Sequence, residues 1–311
     1  MERTRKKITY RELVEVLYRH SLYLDRRRGG RQADLRNTDM TGINMVAAAY
    51  EATGKTAVRL QYAHLENADL SELSMKEAGL DGAFLAGARF CGTFLKGSSF
   101  AEADASGADF TKANLVNADF KDAVLREACF DGAKVRDMGF EGALFDCAVF
   151  SAKTAGLTDL VTRGHDNEKL LHAVLDSDPR LARVLEDAGK SLEEGCRYPD
   201  GVEDHIAGCR RALIEKLEEE GLLHADIPSG TAVFMREKGR TAALDMSLLN
   251  ALIPKEGRSL IVIGCSGRGV CRVDVDGKPI SRRRSREQAI ADAAQLFEKR
   301  KRGKTTPADN P

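Results

Sequence analysis

The sequence predicts a β-solenoid of short stacked coils, with a helix over its N-terminal end and an α+β domain after it. Three observations carry this expectation. Every fifth residue from Leu60 to Phe150 is apolar. All seven prolines lie beyond residue 178, so a compositional boundary follows the periodic stretch. Helical and strand-like spacings are found only outside that stretch.

The chain opens on a helix signature. Thr9 and Glu12 are spaced as a capping box. Leu13, Val16, Leu17, His20 and Leu24 follow at helical spacing, and Arg26, Arg27 and Arg28 run into Gly29 and Gly30, as at a helix end. A helix over residues 1–30 would cover the open apolar end and exposed strand edges of a solenoid. His20 reads as a packed histidine rather than a ligand.

Neither standard period explains the repeat. Five residues of α-helix turn by about 500°, so successive apolar residues would lie ~140° apart. In a strand, five steps invert the face each time. A chain that turns a corner every five residues satisfies the pattern, because each turn returns one side chain to a common axis. Alanine stands two residues before most of these positions, as at Ala63, Ala88, Ala108 and Ala128. The register reaches back to Leu35 and Met40. Residues 47–58 depart from it, with Tyr50 and Lys55 at central positions; a distorted coil or an outward loop is expected there.

The stretches Ala33-Asp34-Leu35, Ala68-Asp69-Leu70, Ala108-Asp109-Phe110, Ala113-Asn114-Leu115 and Ala118-Asp119-Phe120 resemble the motif of the pentapeptide-repeat family, Ala-(Asp/Asn)-Leu-x-x. The resemblance covers residues 31–155. It implies an all-β right-handed quadrilateral β-helix with four repeats, or 20 residues, per coil. Central positions from 35 to 150 would make six coils, a rod of about 29 Å at ~4.8 Å per layer. Folded at 20, Phe90, Phe110, Phe130 and Phe150 share one inner face, and Phe100, Phe120 and Phe140 share the opposite one. These rings read as core.

The same folding separates charge by face. The face centred on 40, 60, 80, 100, 120 and 140 carries Asp39, Asp81, Glu102, Asp119, Asp122 and Glu141 against Arg59 and Lys121. The face centred on 35, 55, 75, 95, 115 and 135 carries Arg36, Lys76, Lys96, Lys134 and Arg136 against Asp34, Glu77 and Asp137. Asp81, Glu102, Asp119, Asp122 and Glu141 are thus a candidate acidic binding face, and Lys76, Lys96, Lys134 and Arg136 a candidate basic row. Family members that confer quinolone resistance resemble B-form DNA in shape and acidity and bind DNA gyrase. The resemblance therefore implies a topoisomerase as one protein partner, since an acidic rod can occupy a basic DNA channel.

After residue 155 the expected order is a helical segment (156–225), an α+β domain with a basic C-terminal helix (226–304) and a disordered tail (305–311). Residues 169–175 and 203–221 have helical spacing, and Asp178-Pro179 starts a further helix. Residues 231–235, 259–263 and 270–275 read as strands of an antiparallel sheet, and Asp276-Gly277 as a hairpin turn. Ser285 caps a last helix. Residues 278–304 hold ten basic groups and three acidic ones. Arg282, Arg283, Arg284 and Arg286 are the candidate nucleic-acid contacts of this region.

Lys+Arg and Asp+Glu are both 48, giving a formal charge of zero. That average argues against a uniformly basic or acidic binder but conceals charged faces. No apolar run approaches the ~20 residues of a membrane span, and no apolar stretch follows the basic start, so neither a membrane partner nor export is expected. Seven cysteines without a CxxC pair point to reduced thiols and the cytoplasm. Cys265 and Cys271, on neighbouring strands, are expected to face each other as thiols. No catalytic residue set, metal site or cofactor loop can be ordered from these residues. The expected role is non-enzymatic macromolecular interaction through the rod. The alternatives are a DNA-mimicking modulator of DNA gyrase or another topoisomerase, and nucleic-acid contact through the basic C-terminal region.

Overall fold

The computed structural model describes residues 5–219, 223–226, 231–237, 259–265, 271–275, 278–283 and 285–304. The chain divides into two compact units, Met1–Ile206 and Ala207–Pro311.

In the first unit the five-residue period is a succession of corners. At each corner the carbonyl of the central residue accepts the N–H three residues on, as from Ala63 to Leu60 (3.0 Å) and from Ala113 to Phe110 (2.9 Å). The second residue after the centre takes a positive φ, as the third residue of a type II turn does; Gly82 has φ 60°, Glu102 59° and Asp122 55°. Coils are joined by backbone bonds such as Leu60 N–H to Gly79 O (2.8 Å) and Phe110 N–H to Cys129 O (2.8 Å). Bridge partners are 20 residues apart from Arg59 and Gly79 through Cys129 and Val149. Four repeats therefore make one circuit.

The inner faces are filled by stacked rings. Phe90 and Phe110 lie 5.1 Å apart at 6°, Phe110 and Phe130 5.3 Å apart at 11°, and Phe130 and Phe150 5.2 Å apart at 9°. Phe100 and Phe120 stack at 4.5 Å from the opposite side and meet the first ladder edge-on. Phe140 leaves its ladder. Its ring meets Phe145 at 6.2 Å and carries the Arg163 guanidinium 5.5 Å from its centroid.

The departure at 47–58 comes from a helix that ends at Thr53. β1 (Lys6–Lys7) and α1 (Tyr10–Leu24) precede the first coil, and β2 (Thr38–Asp39) and α2 (Met45–Thr53) follow within it. Asn44 accepts the Ala47 N–H (3.0 Å) to open α2, and Gly54 closes it with φ 72°. This excursion changes the stacking below residue 60. Asp34 bridges His64 and Asp39 bridges Asp69, 30 residues on rather than 20. The expected six equal coils are corrected accordingly, because positions 50 and 55 form no corner of the rod. Asp39 also leaves the face of Asp81 and joins that of Asp69, while Asp34 and Arg36 join the face of His64 and leave that of Lys76.

At the N-terminal end, Thr9 and Glu12 make the capping box: Glu12 N–H donates to Thr9 Oγ1 (3.2 Å) and Thr9 N–H to Glu12 Oε2 (2.8 Å). Leu13, Leu17 and His20 of α1 are buried. His20 Nδ1 accepts the Ala33 N–H (3.1 Å), so α1 is bonded to the start of the first coil. β1 runs parallel to β2, adding a short strand to that coil's edge.

At the other end, α3 (Leu157–Arg163), α4 (Glu168–Ser177), a 3-10 turn (Pro179–Leu181) and α5 (Ala182–Gly189) follow the last coil. Their side chains take up its open backbone groups. Ser177 Oγ accepts the Phe150 N–H (2.9 Å), Asp159 accepts the Asp137 N–H (3.1 Å), and Arg163 donates to Met138 O (3.0 Å). Leu157, Leu160, Leu170, Leu171 and Val174 are buried. α6 (Val202–Glu219) begins in the first unit and continues into the second.

The second unit holds a five-stranded sheet in chain order: β3 (Leu223–Asp226), β4 (Thr231–Glu237), β5 (Ser259–Cys265), β6 (Cys271–Val275) and β7 (Lys278–Arg283). β4 and β5 are parallel, and the other neighbours are antiparallel. The sheet is thus mixed rather than antiparallel. α7 (Arg286–Lys304) starts with Gln288 N–H donating to Ser285 Oγ (3.1 Å). Its Ala289, Ala293 and Phe297 pack on Ile261, Ile263, Val273 and Val275. Cys271 stands opposite Cys265 in the ladder and is disulfide-bonded. The expectation of thiols throughout is corrected by the bonded state of Cys271. Residues 276–277 and 305–311, read above as a turn and a tail, lie outside the described residues.

Candidate interaction surface

The rod places side chains in columns, because each outward position recurs one coil later, about 4.8 Å along the stack. Positions 81, 101, 121 and 141 form one column, positions 82, 102, 122 and 142 a second at the corner, and positions 84, 104 and 124 a third beyond it. Asp119 stands in the neighbouring column of 79, 99 and 139, so Asp81, Glu102, Asp119, Asp122 and Glu141 gather on one side of the rod and its edge. Glu102, Asp119, Asp122 and Glu141 are exposed, and Asp81 is half-buried. The Asp81 carboxylate accepts the Ser99 hydroxyl, and Asp119 accepts the Lys121 N–H (3.0 Å). Among the described residues none of the five carboxylates is ion-paired.

The basic row is different. Lys76, Lys96, Lys134 and Arg136 are all exposed. Lys76 pairs with Glu77 (2.9 Å) and Arg136 with Asp137 (3.6 Å), each with its own corner neighbour. Ion pairs also form off this row. Arg36 and Asp34 lie 2.6 Å apart, and the guanidinium holds the Asp34 carboxyl down at about 2. The structure therefore brings the acidic candidates together as unpaired charge and half neutralises the basic ones. Sequence position gives the columns; it does not give these pairings.

Next to the acidic edge lie aromatic groups that face outward. The His64 and Phe84 rings are stacked at 4.7 Å and 12°. Phe84 is 42% exposed and Tyr62 52%. The inward aromatic ladders dominate the sequence pattern, and the outward pair at 64 and 84 was legible only as two aromatics one coil apart.

Arg282 and Arg283 fall on β7 and Arg286 on the first residue of α7; Arg284 lies outside the described residues. Among the described residues no group of three or more His, Cys, Asp or Glu side chains is arranged to hold a metal ion. No described helix is long and apolar enough to cross a membrane.

A protein built this way is a repeat solenoid, whose coils stack only on their neighbours. Its repeats are pentapeptide repeats: that family's model matches eight copies, over residues 56–97, 80–115 and 106–137. The fold this implies is a right-handed quadrilateral β-helix. Among solved structures, a pentapeptide repeat protein of the Arabidopsis thaliana thylakoid lumen is 25% identical, covering 35% of this chain and 74% of that one (TM-score 0.27). The pentapeptide repeat protein Rfr23 of the cyanobacterium Cyanothece 51142 is 19% identical, covering 46% and 98% (TM-score 0.27). A trypsin-treated form of QnrB1, a plasmid-mediated fluoroquinolone resistance protein, is 20% identical, covering 30% and 51% (TM-score 0.29). The chain thus spans about half of that QnrB1 chain. No curated protein matches.

Proposed function

We propose that this protein is a non-enzymatic interaction scaffold that presents its repeat rod to a protein partner. One observation carries the reading: Asp81, Glu102, Asp119, Asp122 and Glu141 share one side of the rod without a cationic partner among the described residues, whereas Lys76 and Arg136 are paired within the chain. Unpaired carboxylates on a rigid surface attract a basic partner and set its orientation. The test is affinity capture with the full chain against a variant carrying Asp81→Asn, Glu102→Gln, Asp119→Asn, Asp122→Asn and Glu141→Gln. The expected result is a partner that the variant no longer retains. An unchanged set of bound proteins overturns the reading.

A narrower version has the acidic side standing in for a DNA duplex in the channel of DNA gyrase or another topoisomerase. The same two proteins serve in a supercoiling assay. Inhibition by the full chain at micromolar concentration, relieved in the variant, supports it, and no inhibition removes it.

The run Arg282, Arg283, Arg284 and Arg286 motivates a separate proposal, contact with nucleic-acid phosphates. Binding of a DNA or RNA duplex should then fall steeply with salt and lose roughly one unit of salt slope per arginine removed. No binding at low salt excludes it.

A further inference from the structure

We propose that the edge formed by Phe84, Asp104, Glu102 and Asp81 docks an arginine side chain of a partner protein. This rests on the interaction reading above and names the group that is recognised. Phe84 is bridged to His64 in the coil before it and to Asp104 in the coil after it. The His64 ring covers one face of Phe84 at 4.7 Å. The other face is turned toward the coil of Asp104, and the residue remains 42% exposed. A planar cation laid on that face stacks on the ring and comes within reach of the Asp104 carboxylate.

The chemistry of the site selects guanidinium. Arginine stacks on an aromatic face and pairs with a carboxylate in two parallel bonds, whereas lysine is a hydrated point charge. The Asp104 carboxylate is held in place, since Ser106 donates to its Oδ1 from both N–H (3.1 Å) and Oγ (2.6 Å). Asp81 and Glu102 stand in the adjoining columns, one coil apart. Neither they nor Asp104 are ion-paired among the described residues, so an incoming cation displaces no resident one. Tyr62 bounds the same edge. Its ring lies so close over Gly82 that a Cβ there would stand 2.6 Å from it, which keeps this wall low beside Phe84. Single exposed aromatics are ordinary on protein surfaces. The conjunction of a half-open stacked ring and three unpaired carboxylates is what fits a guanidinium.

Fluorescence anisotropy with the full chain and fluorescein-labelled octa-arginine or octalysine tests this. Octa-arginine should bind about 3-fold more tightly than octalysine at physiological salt. Phe84→Ser should abolish that preference, and Phe84→Tyr should retain it. Asp104→Asn should weaken octa-arginine by more than it weakens octalysine. Equal affinities, or a preference that survives Phe84→Ser, overturn the proposal while leaving the scaffold reading intact, because that reading requires only that the carboxylates matter. Absence of binding by both peptides overturns the proposal too, and the scaffold reading is then decided by the capture experiment alone.

Discussion

Phe110→Ala lowers the stability of the rod by roughly 3–5 kcal/mol, the range for deleting a fully buried phenyl group. The residue is 0% exposed. Its ring is stacked between Phe90 and Phe130 and meets Phe100 and Phe120 edge-on at 5.9 and 5.6 Å. Truncation removes four aromatic contacts at once and leaves a cavity that backbone bonds on every side keep from collapsing. Phe140→Ala should cost less, because that ring has left its ladder and is 9% exposed near the end of the rod. Denaturant unfolding followed by circular dichroism gives both values. A Phe110→Ala loss below that of Phe140→Ala would show that stacking does not distribute stability in this way.

Acidification from pH 6.5 to about 4 loosens the N-terminal end of the solenoid, and His20 is the cause. Its imidazole is 0% exposed. Burial first, and then the Arg59 charge, push its pKa from 6.5 down to about 4, against an opposing pull from the Gln61 backbone. The unfolded state therefore takes up a proton in this window that the folded state refuses, so stability is complete above about 6.5 and falls as pH drops toward 4. The loss amounts to roughly 3 kcal/mol. Protonation also ends the ability of Nδ1 to accept the Ala33 N–H. The Asp34–Arg36 pair is lost only lower, between about 3.8 and 2, so the two windows separate. Hydrogen exchange of the α1 amides at pH 7 and pH 4.5 measures the effect. In a His20→Asn variant, which keeps an acceptor but does not titrate here, the difference should disappear. A slope that persists in that variant would assign it to other groups.

The repeat was readable because each coil touches only its neighbours, so the packing rule is written locally in every five residues. The α2 excursion was not. It displaces the ladder by ten residues, a multiple of five, and leaves the apolar phase of Leu35, Met40 and Leu60 unchanged. Ten is also half of a 20-residue circuit, which is why Asp39 lands across the rod from its expected face. In the second unit, strand residues such as Ile261 and Ile263 reveal burial but not chain direction, so the parallel pairing of β4 and β5 was hidden. Only the length of the 238–258 connection hinted at it, since a parallel pair needs a long crossover. For the surface, columns follow from arithmetic, whereas the neutralisation of Lys76 by Glu77 depends on rotamers that no spacing encodes.

The α2 excursion also has a practical consequence. The chain leaves the ladder after Met40, whose N–H bonds to Asp69 O (2.9 Å), and rejoins it at Leu60, whose N–H bonds to Gly79 O (2.8 Å). Both anchors are ladder bonds outside α2, whose own Met45, Ala48 and Ala49 are buried. The excursion is a port for foreign sequence: a reporter peptide or epitope spliced after Gly54, with that glycine kept for its φ of 72° and open surroundings, would project from the rod with α2 and the coils left in place.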